Sequence, residues 1–269
     1  MPRELAVIMP AYNADRTIGR AVDSLMRNAE PFDLLIVDDC SRRPVAEILG
    51  NLPPNVEILR FDKNRGVVAA RNAGLRHLLA RDYVFIAVQD SDDVSDPYRL
   101  AKQTAFLKSH PEVALVGSWA RYIDEDTRGV VFPFCPPCDP AAIRAALYVN
   151  NCIVHSSWMV RARAFRAAGV YSENYPLGED YELLRRMADQ FDFANLPEYL
   201  VDYTISMGGL SMRKRRKQLY DRLRIQLRYF NARRSVAWFG VLRTLLLFAV
   251  PLGVLAAYRA EHGLRLQHS

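Results

Sequence analysis

Apolar residues along the first hundred positions follow two alternating patterns. Short runs rich in β-branched and aromatic residues, Leu5 to Met9, Leu34 to Val37, Val56 to Phe61 and Tyr83 to Val88, read as buried strands. Between them, helical spacing marks Arg16 to Asn28, with Asp15 placed to cap it, a short helix at Val45 to Leu49, and Val67 to Leu79. The βαβαβαβ order predicts an α/β fold with a doubly wound, mainly parallel sheet. Its binding loops then follow strands one, two and four at one sheet edge. They are Pro10-Ala-Tyr-Asn13, Asp38-Asp-Cys-Ser41 and Asp90-Ser-Asp-Asp93.

A helix from Tyr98 to Ser109 and the break at Pro111 close this half. Strands at Ala114 to Ser118 and Arg121 to Ile123, helices at Pro140 to Tyr148 and Arg161 to Ala168, a helix from Asp180 to Gln190, and strands at Asp192 to Asn195 and Glu198 to Tyr203 compose a smaller mixed half. The expected division is residues 1–110, 111–205 and a helical extension over 206–269.

The 269 residues, half of them hydrophobic and a quarter charged, are enough for one α/β unit with an elaboration. Four scattered cysteines make no disulfide framework, and nothing at the start resembles a secretory signal, so the cytosolic side is expected. Cys135-Pro-Pro-Cys138 has redox or zinc half-site spacing but lacks a second pair and the strand-then-helix context. No Gly-x-Gly-x-x-Gly follows the first strand, which disfavours a dehydrogenase.

The acidic cluster at Asp90, Asp92 and Asp93 follows a strand, where carboxylates repel unless a cation joins them. Mg²⁺ or Mn²⁺ suits such a place, since hard cations accept one or two carboxylates and fill the rest with water and phosphate oxygens. Taken alone, the cluster fits equally an acidic turn before the next helix, and Glu179-Asp180 fits a helix-capping pair.

Four segments in order, Val7-Ile-Met-Pro-Ala-Tyr-Asn13, Leu35-Ile-Val-Asp-Asp-Cys-Ser41, Asn64-Arg-Gly-Val-Val-Ala-Ala-Arg-Asn-Ala-Gly74 and Gln89-Asp-Ser-Asp-Asp93, with Gly178-Glu-Asp180 further on, resemble the family 2 glycosyltransferases of GT-A fold. The resemblance covers roughly residues 5 to 205. It implies a nucleotide-diphosphate sugar donor, with Pro10, Ala11 and Tyr12 lining the base pocket and Asp39 bonding the base, expected to be uracil. Arg71 would reach toward base and phosphates, Asp90 toward the ribose, and Asp92 would bind the metal with Asp93 behind it. Asp180 would be the general base that deprotonates the acceptor hydroxyl, which implies an inverting single displacement. Glu179 and His155 would lie near the acceptor, although a histidine bonded at a strand start and a core Trp158 are competing readings. Gln89 stands where the family often has leucine.

Residues 213 to 234 hold ten Arg or Lys and one acid, Asp221, a local +9 against a formal net charge of +6. Leu219, Leu223, Leu227 and Phe230 recur there at helical spacing, which predicts a basic amphipathic helix. Thr244 to Tyr258 then runs without a charge. As a helix it spans about 22 Å, short of the ~30 Å hydrocarbon core, so an in-plane anchor is expected rather than a crossing. Residues 213–258 would meet an anionic membrane surface on the cytoplasmic face of the inner membrane. This suits a glycan or polyprenyl-diphosphate-linked acceptor in cell-surface polysaccharide synthesis. A silent nucleotide-binding member is the alternative. A nucleic-acid partner is disfavoured, because no RNA-binding motif is present and the acidic cluster would repel a polyanion. Self-association into a homodimer is left open.

Overall fold

The computed structural model describes residues 3–205 and 215–249. Its elements in chain order are β1 (Leu5–Ala11), α1 (Ile18–Met26), β2 (Asp33–Asp38), α2 (Val45–Leu49), β3 (Val56–Arg60), α3 (Val67–Leu79), β4 (Phe85–Val88), β5 (Val94–Ser95) and α4 (Arg99–Ser109). Then follow β6 (Val113–Asp124), β7 (Val130–Phe134), α5 (Pro140–Ala146), a 3₁₀ turn (His155–Ser157), β8 (Met159–Arg161), α6 (Ala162–Ala168), α7 (Glu179–Met187), β9 (Asp192–Ile205), α8 (Arg215–Arg228) and α9 (Ser235–Ala249).

One sheet of order β3-β2-β1-β4-β8-β6-β9-β5, with β7 beside β6, takes strands from both sides of residue 110. The first four strands are parallel, as the alternation predicts. β8 turns antiparallel between β4 and β6, and β6 runs parallel to β9. Successive side chains of a strand point to opposite faces. Accordingly Ala6, Ile8, Leu35 and Val37 enter one core with Leu75, Trp158 and Leu184. Leu5, Val7, Met9, Leu34 and Ile36 enter the other with Leu25, Leu100 and Leu107.

Several boundaries move from the sequence reading. The first helix starts at Ile18 behind Thr17, and Ala14 O accepts from the Thr17 and Ile18 N–H groups, so Asp15 is not its cap. The two strands expected on either side of residue 119 form one strand, β6, and those on either side of Pro197 form β9. Arg161 ends β8 rather than opening a helix.

The basic segment also departs from expectation. α8 is no lone surface helix: Leu219 and Ile225 are buried, while Leu227, expected on its apolar face, is exposed. Ile225 joins the core of Tyr175, Tyr181 and Leu184, and Gln226 Nε2 donates to Val149 O at 2.8 Å. α9 begins before the uncharged run and carries Arg243 within it. The expected helix start at Met212–Lys214 and the rest of the uncharged run, residues 250–258, lie outside the described residues. Among the described residues, no helix is long and apolar enough to cross a membrane.

Candidate active site

The carboxyl ends of β1, β2 and β4 open on a cleft of about 780 Å³. Pro10, Ala11, Tyr12, Asp39, Arg71, Asp90 and Asp92 line it together, along with Asn64, Arg65, Gly66 and Lys217. Seven of the candidate residues thus converge on one space, because parallel strands deliver their following loops to the same edge.

Backbone N–H groups hold the loops after β1 and β2. Asp38, fully buried, accepts from Ser41 N at 2.9 Å and Val45 N at 3.1 Å, and Arg60 pairs with its second oxygen. These hydrogen bonds outweigh burial and keep its carboxyl below the usual range. Asp39 accepts from Arg65 N at 2.7 Å with one oxygen and from Gly66 N at 2.8 Å with the other. Gly66 takes φ +89°, a conformation that favours glycine, which lets both amides aim at one carboxylate. Asn13 and Ser41 tie the first two loops together: Asn13 N donates to Ser41 Oγ at 3.0 Å and Arg42 N to Asn13 Oδ1 at 2.9 Å. Tyr12 stays half exposed over the cleft, its ring free to stack.

Arg71 is not a solvated helix-face charge. It is buried, with Nη2 donating to Asp90 Oδ1 at 2.8 Å and Nη1 to Glu179 Oε1 at 2.5 Å. One cation therefore joins a residue of the donor loop to the start of α7. Burial works against the Asp90 carboxylate, yet Arg71 and then His155 hold it well below the usual range. Glu179 is pushed up to about 7 by burial, with Arg71 opposing and Asp180 adding repulsion. A single guanidinium shared by two buried carboxylates fully offsets only one of them.

Asp92 faces the open cleft, and among the described residues no other residue donates to its carboxylate. Its carboxyl is pushed up to about 6 because the cleft walls thin its hydration and Asp90 and Glu125 repel it. Asp93 is buried, accepts from Thr204 N at 2.7 Å, leaves Oδ2 unpartnered, and is raised well above the usual range by burial and by Asp92 and Asp90. Crowded carboxylates of this kind fit a divalent cation. The described residues contain no group of three or more His, Cys, Asp or Glu that could hold a metal, so any such ion would share Asp92 with substrate oxygens.

Four candidates are not among the residues lining this cleft. His155 is buried in the 3₁₀ turn, its Nε2 2.8 Å from Tyr171 OH and its Nδ1 3.7 Å from Asp90 Oδ2. Burial and then Arg71 lower its pKa, and the imidazole sits beside Asp90 without lining the cleft. Asp93 anchors β9, and Glu179 reaches the cleft only through Arg71. Asp180 accepts from Asn151 Nδ2 at 2.6 Å. Trp158 is a core residue whose Nε1 donates to Ile153 O. Gln89 is fully buried, accepts from Arg99 Nη1 at 2.6 Å and does not line the cleft.

Sequence reasoning passed over Asn64, Arg65 and Lys217 as cleft residues. Asn64 and Arg65 stand inside a quoted motif. Lys217 carried no separate signal within a run of basic residues.

The model of the family described as Glycosyl transferase family 2 matches residues 6–169. The chain is 30% identical over 207 residues to the putative glycosyltransferase EpsE of Bacillus subtilis, covering 73% of this chain and 71% of that one. It is 29% identical over 253 residues to the amylovoran biosynthesis glycosyltransferase AmsE of Erwinia amylovora, covering 91% of each. Among solved structures, S. aureus TarS 1–349 in complex with UDP-GlcNAc superposes with a TM-score of 0.65 at 19% identity, covering 83% of this chain and 66% of that one. The mannosyltransferase PcManGT of Pyrobaculum calidifontis, in complex with GDP-Man and Mn²⁺, superposes at 0.66 with 15% identity, covering 99% and 82%. From the matched family model and these relatives, this chain belongs to glycosyl transferase family 2 and is a transferase enzyme.

Proposed function

We propose that the chain transfers one sugar, with inversion, from a UDP-linked donor to a hydroxyl of a glycan or polyprenyl-diphosphate-linked acceptor in cell-surface polysaccharide synthesis. The observation that carries this reading is Arg71, which fastens the donor-side Asp90 to the acceptor-side Glu179 at the wall of a single cleft. The Asp39 carboxylate, already positioned by two amides, keeps lone pairs for a base that offers a ring N–H. Uracil and guanine do so and cytosine does not, and Tyr12 supplies the stacking ring. Asp90 would bind the ribose.

Asp92, with substrate oxygens, would hold Mg²⁺ or Mn²⁺. When bound there, the ion supplies positive charge against the departing nucleotide diphosphate. Asp180 would take the proton of the acceptor hydroxyl as it attacks the anomeric carbon, with Asn151 orienting the carboxylate. Attack from the face opposite the leaving group needs one carboxylate and no covalent intermediate. Residues 213–258 would rest on the cytoplasmic face of an anionic membrane. The large apolar residues exposed along α9, with arginines beside them, support this placement.

Release of UDP from a panel of UDP-sugars, offered isoprenyl-diphosphate-linked sugars as acceptors, tests the reading. The expected result is metal-dependent release, a product of inverted anomeric configuration by NMR, and loss of transfer in Asp180→Asn. A product of retained configuration, or turnover untouched by that substitution, would contradict it.

A further inference from the structure

Near Asp180, α8 and α9 bring Arg222 and Arg243 together, and among the described residues neither is ion-paired with a carboxylate. The loop before α7 is pinned to α8, because Leu177 N donates to Asp221 Oδ2 at 3.2 Å and Gly178 packs against the Asp221 and Ile225 side chains. Residue 222 is therefore set against the turn that opens into Glu179 and Asp180. α9 is seated beside it so closely that a Cβ on Gly240 would lie 2.2 Å from Tyr148 O. Gln226 of α8 donates to Val149 O. Both helices thus rest on residues 148 and 149, two positions before the Asn151 that holds Asp180.

In this setting Arg222 is half-buried and within electrostatic reach of Asp180, Tyr181, Arg243 and Arg215. Burial first, then Arg243, lowers its pKa, against the opposing pull of Tyr181 and Asp180. Among the described residues, neither Arg222 nor Arg243 makes a hydrogen bond or an ion pair. Other enclosed arginines find acceptors, Arg71 in Asp90 and Glu179, Arg186 in Glu182, and Arg99 in Gln89, Gln103 and backbone carbonyls, whereas half-buried Arg20 leaves Nε and Nη2 without one. The nearby carboxylate, Asp180, is committed to Asn151 and, on the reading above, to the acceptor's proton.

We propose that Arg222 and Arg243, with Arg215 behind them, form a subsite for phosphate oxygens attached to the acceptor sugar, so that the acceptor is a glycosyl phosphate or diphosphate and not a neutral glycan. The inference rests on Asp180 lying at the acceptor hydroxyl. Planar guanidinium groups match phosphate oxygens in pairs, and a bound dianion turns their mutual repulsion into attraction. The surroundings favour a lipid-linked source of the phosphate. Trp238, Phe239, Leu242, Leu245 and Leu246 are exposed on the side of α9 opposite Ala237, Gly240 and Thr244, which face the protein, and Arg243 lies between the two faces.

The test is calorimetric titration of the whole chain with farnesyl diphosphate, inorganic pyrophosphate and farnesol, each with and without saturating UDP and Mg²⁺. Farnesyl diphosphate is expected to bind while UDP occupies the donor site, and farnesol is expected not to. In the double variant Arg222→Gln/Arg243→Gln, farnesyl diphosphate affinity falls at least about tenfold, as loss of charge-assisted bonds implies. UDP affinity stays within about twofold. The charge-matched control Arg233→Gln/Arg234→Gln, altered at two exposed residues, keeps its affinity for farnesyl diphosphate. The melting temperature of Arg222→Gln/Arg243→Gln is unchanged or raised because repulsion is relieved, whereas a merely structural pair would lower it. Tighter binding of farnesyl diphosphate than of pyrophosphate assigns the phosphate to a lipid, and equal binding assigns it to a soluble glycosyl phosphate. Equal losses in the two double variants, full displacement by UDP, or no binding by the wild type overturns the subsite. Absence of UDP binding alone counts against the donor reading and leaves the arginine result to stand or fall by itself.

Discussion

On the donor side of the cleft, carboxylates are held by backbone amides: Asp38 by Ser41 and Val45, Asp39 by Arg65 and Gly66. On the proposed acceptor side, side chains take the larger part, Arg71 pairing with Glu179 and Asn151 donating to Asp180 Oδ2 beside a bond from Tyr181 N to Oδ1, while Arg222 and Arg243 have no partner among the described residues. Amide clamps are set by the loops themselves and need no ligand to be satisfied. Side-chain clamps join distant parts of the chain and leave residual charge for a ligand to complete. On the proposed reading, the donor half would be pre-organised and the acceptor half would be completed by its ligand.

The contrast breaks most sharply at Asp180. Asp180→Asn should reduce transfer about 10³-fold while UDP binding, measured by calorimetry, stays near wild type. An equal loss of both would mean that the two sides are not separable.

Arg71 is the link between the sides. Arg71→Met leaves Asp90 and Glu179 buried without their cation, and urea unfolding should report a loss of about 3–5 kcal/mol. A loss below about 1 kcal/mol would show that the link bears little load.

Glu179 sharpens the comparison through pH. Its folded pKa, about 7, lies above the ordinary 4.5, so the native state keeps the proton longer than the unfolded chain. Its contribution to stability is fully present below pH 4.5 and is lost as pH rises through 7. Relative to Glu179→Gln, the wild type should therefore lose stability across that window, on the order of 3 kcal/mol, and run parallel above it. Asp92 and Asp93 titrate in both proteins and cancel. A pH-independent difference would place the carboxylate outside this account.

The smallest effect is expected behind the donor loop. Arg99 is fully buried and pushed down to about 9 by burial, and Gln89 Oε1 is one of its few acceptors. Gln89→Leu, which restores the residue the family often has there, should cost about 2 kcal/mol in unfolding, because Arg99 keeps its charge and loses a bond.

Much of the donor side was legible in the sequence. Pro10 to Tyr12, Asp39 and Asp90 to Asp92 sit just past apolar runs, and parallel topology obliges such positions to share one edge. The acceptor side was less so. Arg71 and Glu179 are 108 positions apart, and no local pattern announces their pairing. Pro197 reads as a strand break because it lacks an N–H, yet β9 passes through it where its register against β6 shifts between Ser118 and Trp119. The basic run around α8 suggested a lipid-facing surface. Its composition did not tell which residues turn inward, and Leu219, Asp221 and Ile225 do so while Lys217 reaches the cleft.

The most direct test of a pre-organised donor site completed by a cation at Asp92 is calorimetric titration with UDP, GDP and dTDP, each in Mn²⁺ and in EDTA, using the wild type and Asp92→Ala. UDP binding should be strong in Mn²⁺ and at least about tenfold weaker both in EDTA and in Asp92→Ala, because Asp92 would hold the cation that supplies positive charge to the diphosphate. Binding of no nucleotide, or binding of UDP indifferent to both the metal and Asp92, would contradict the account.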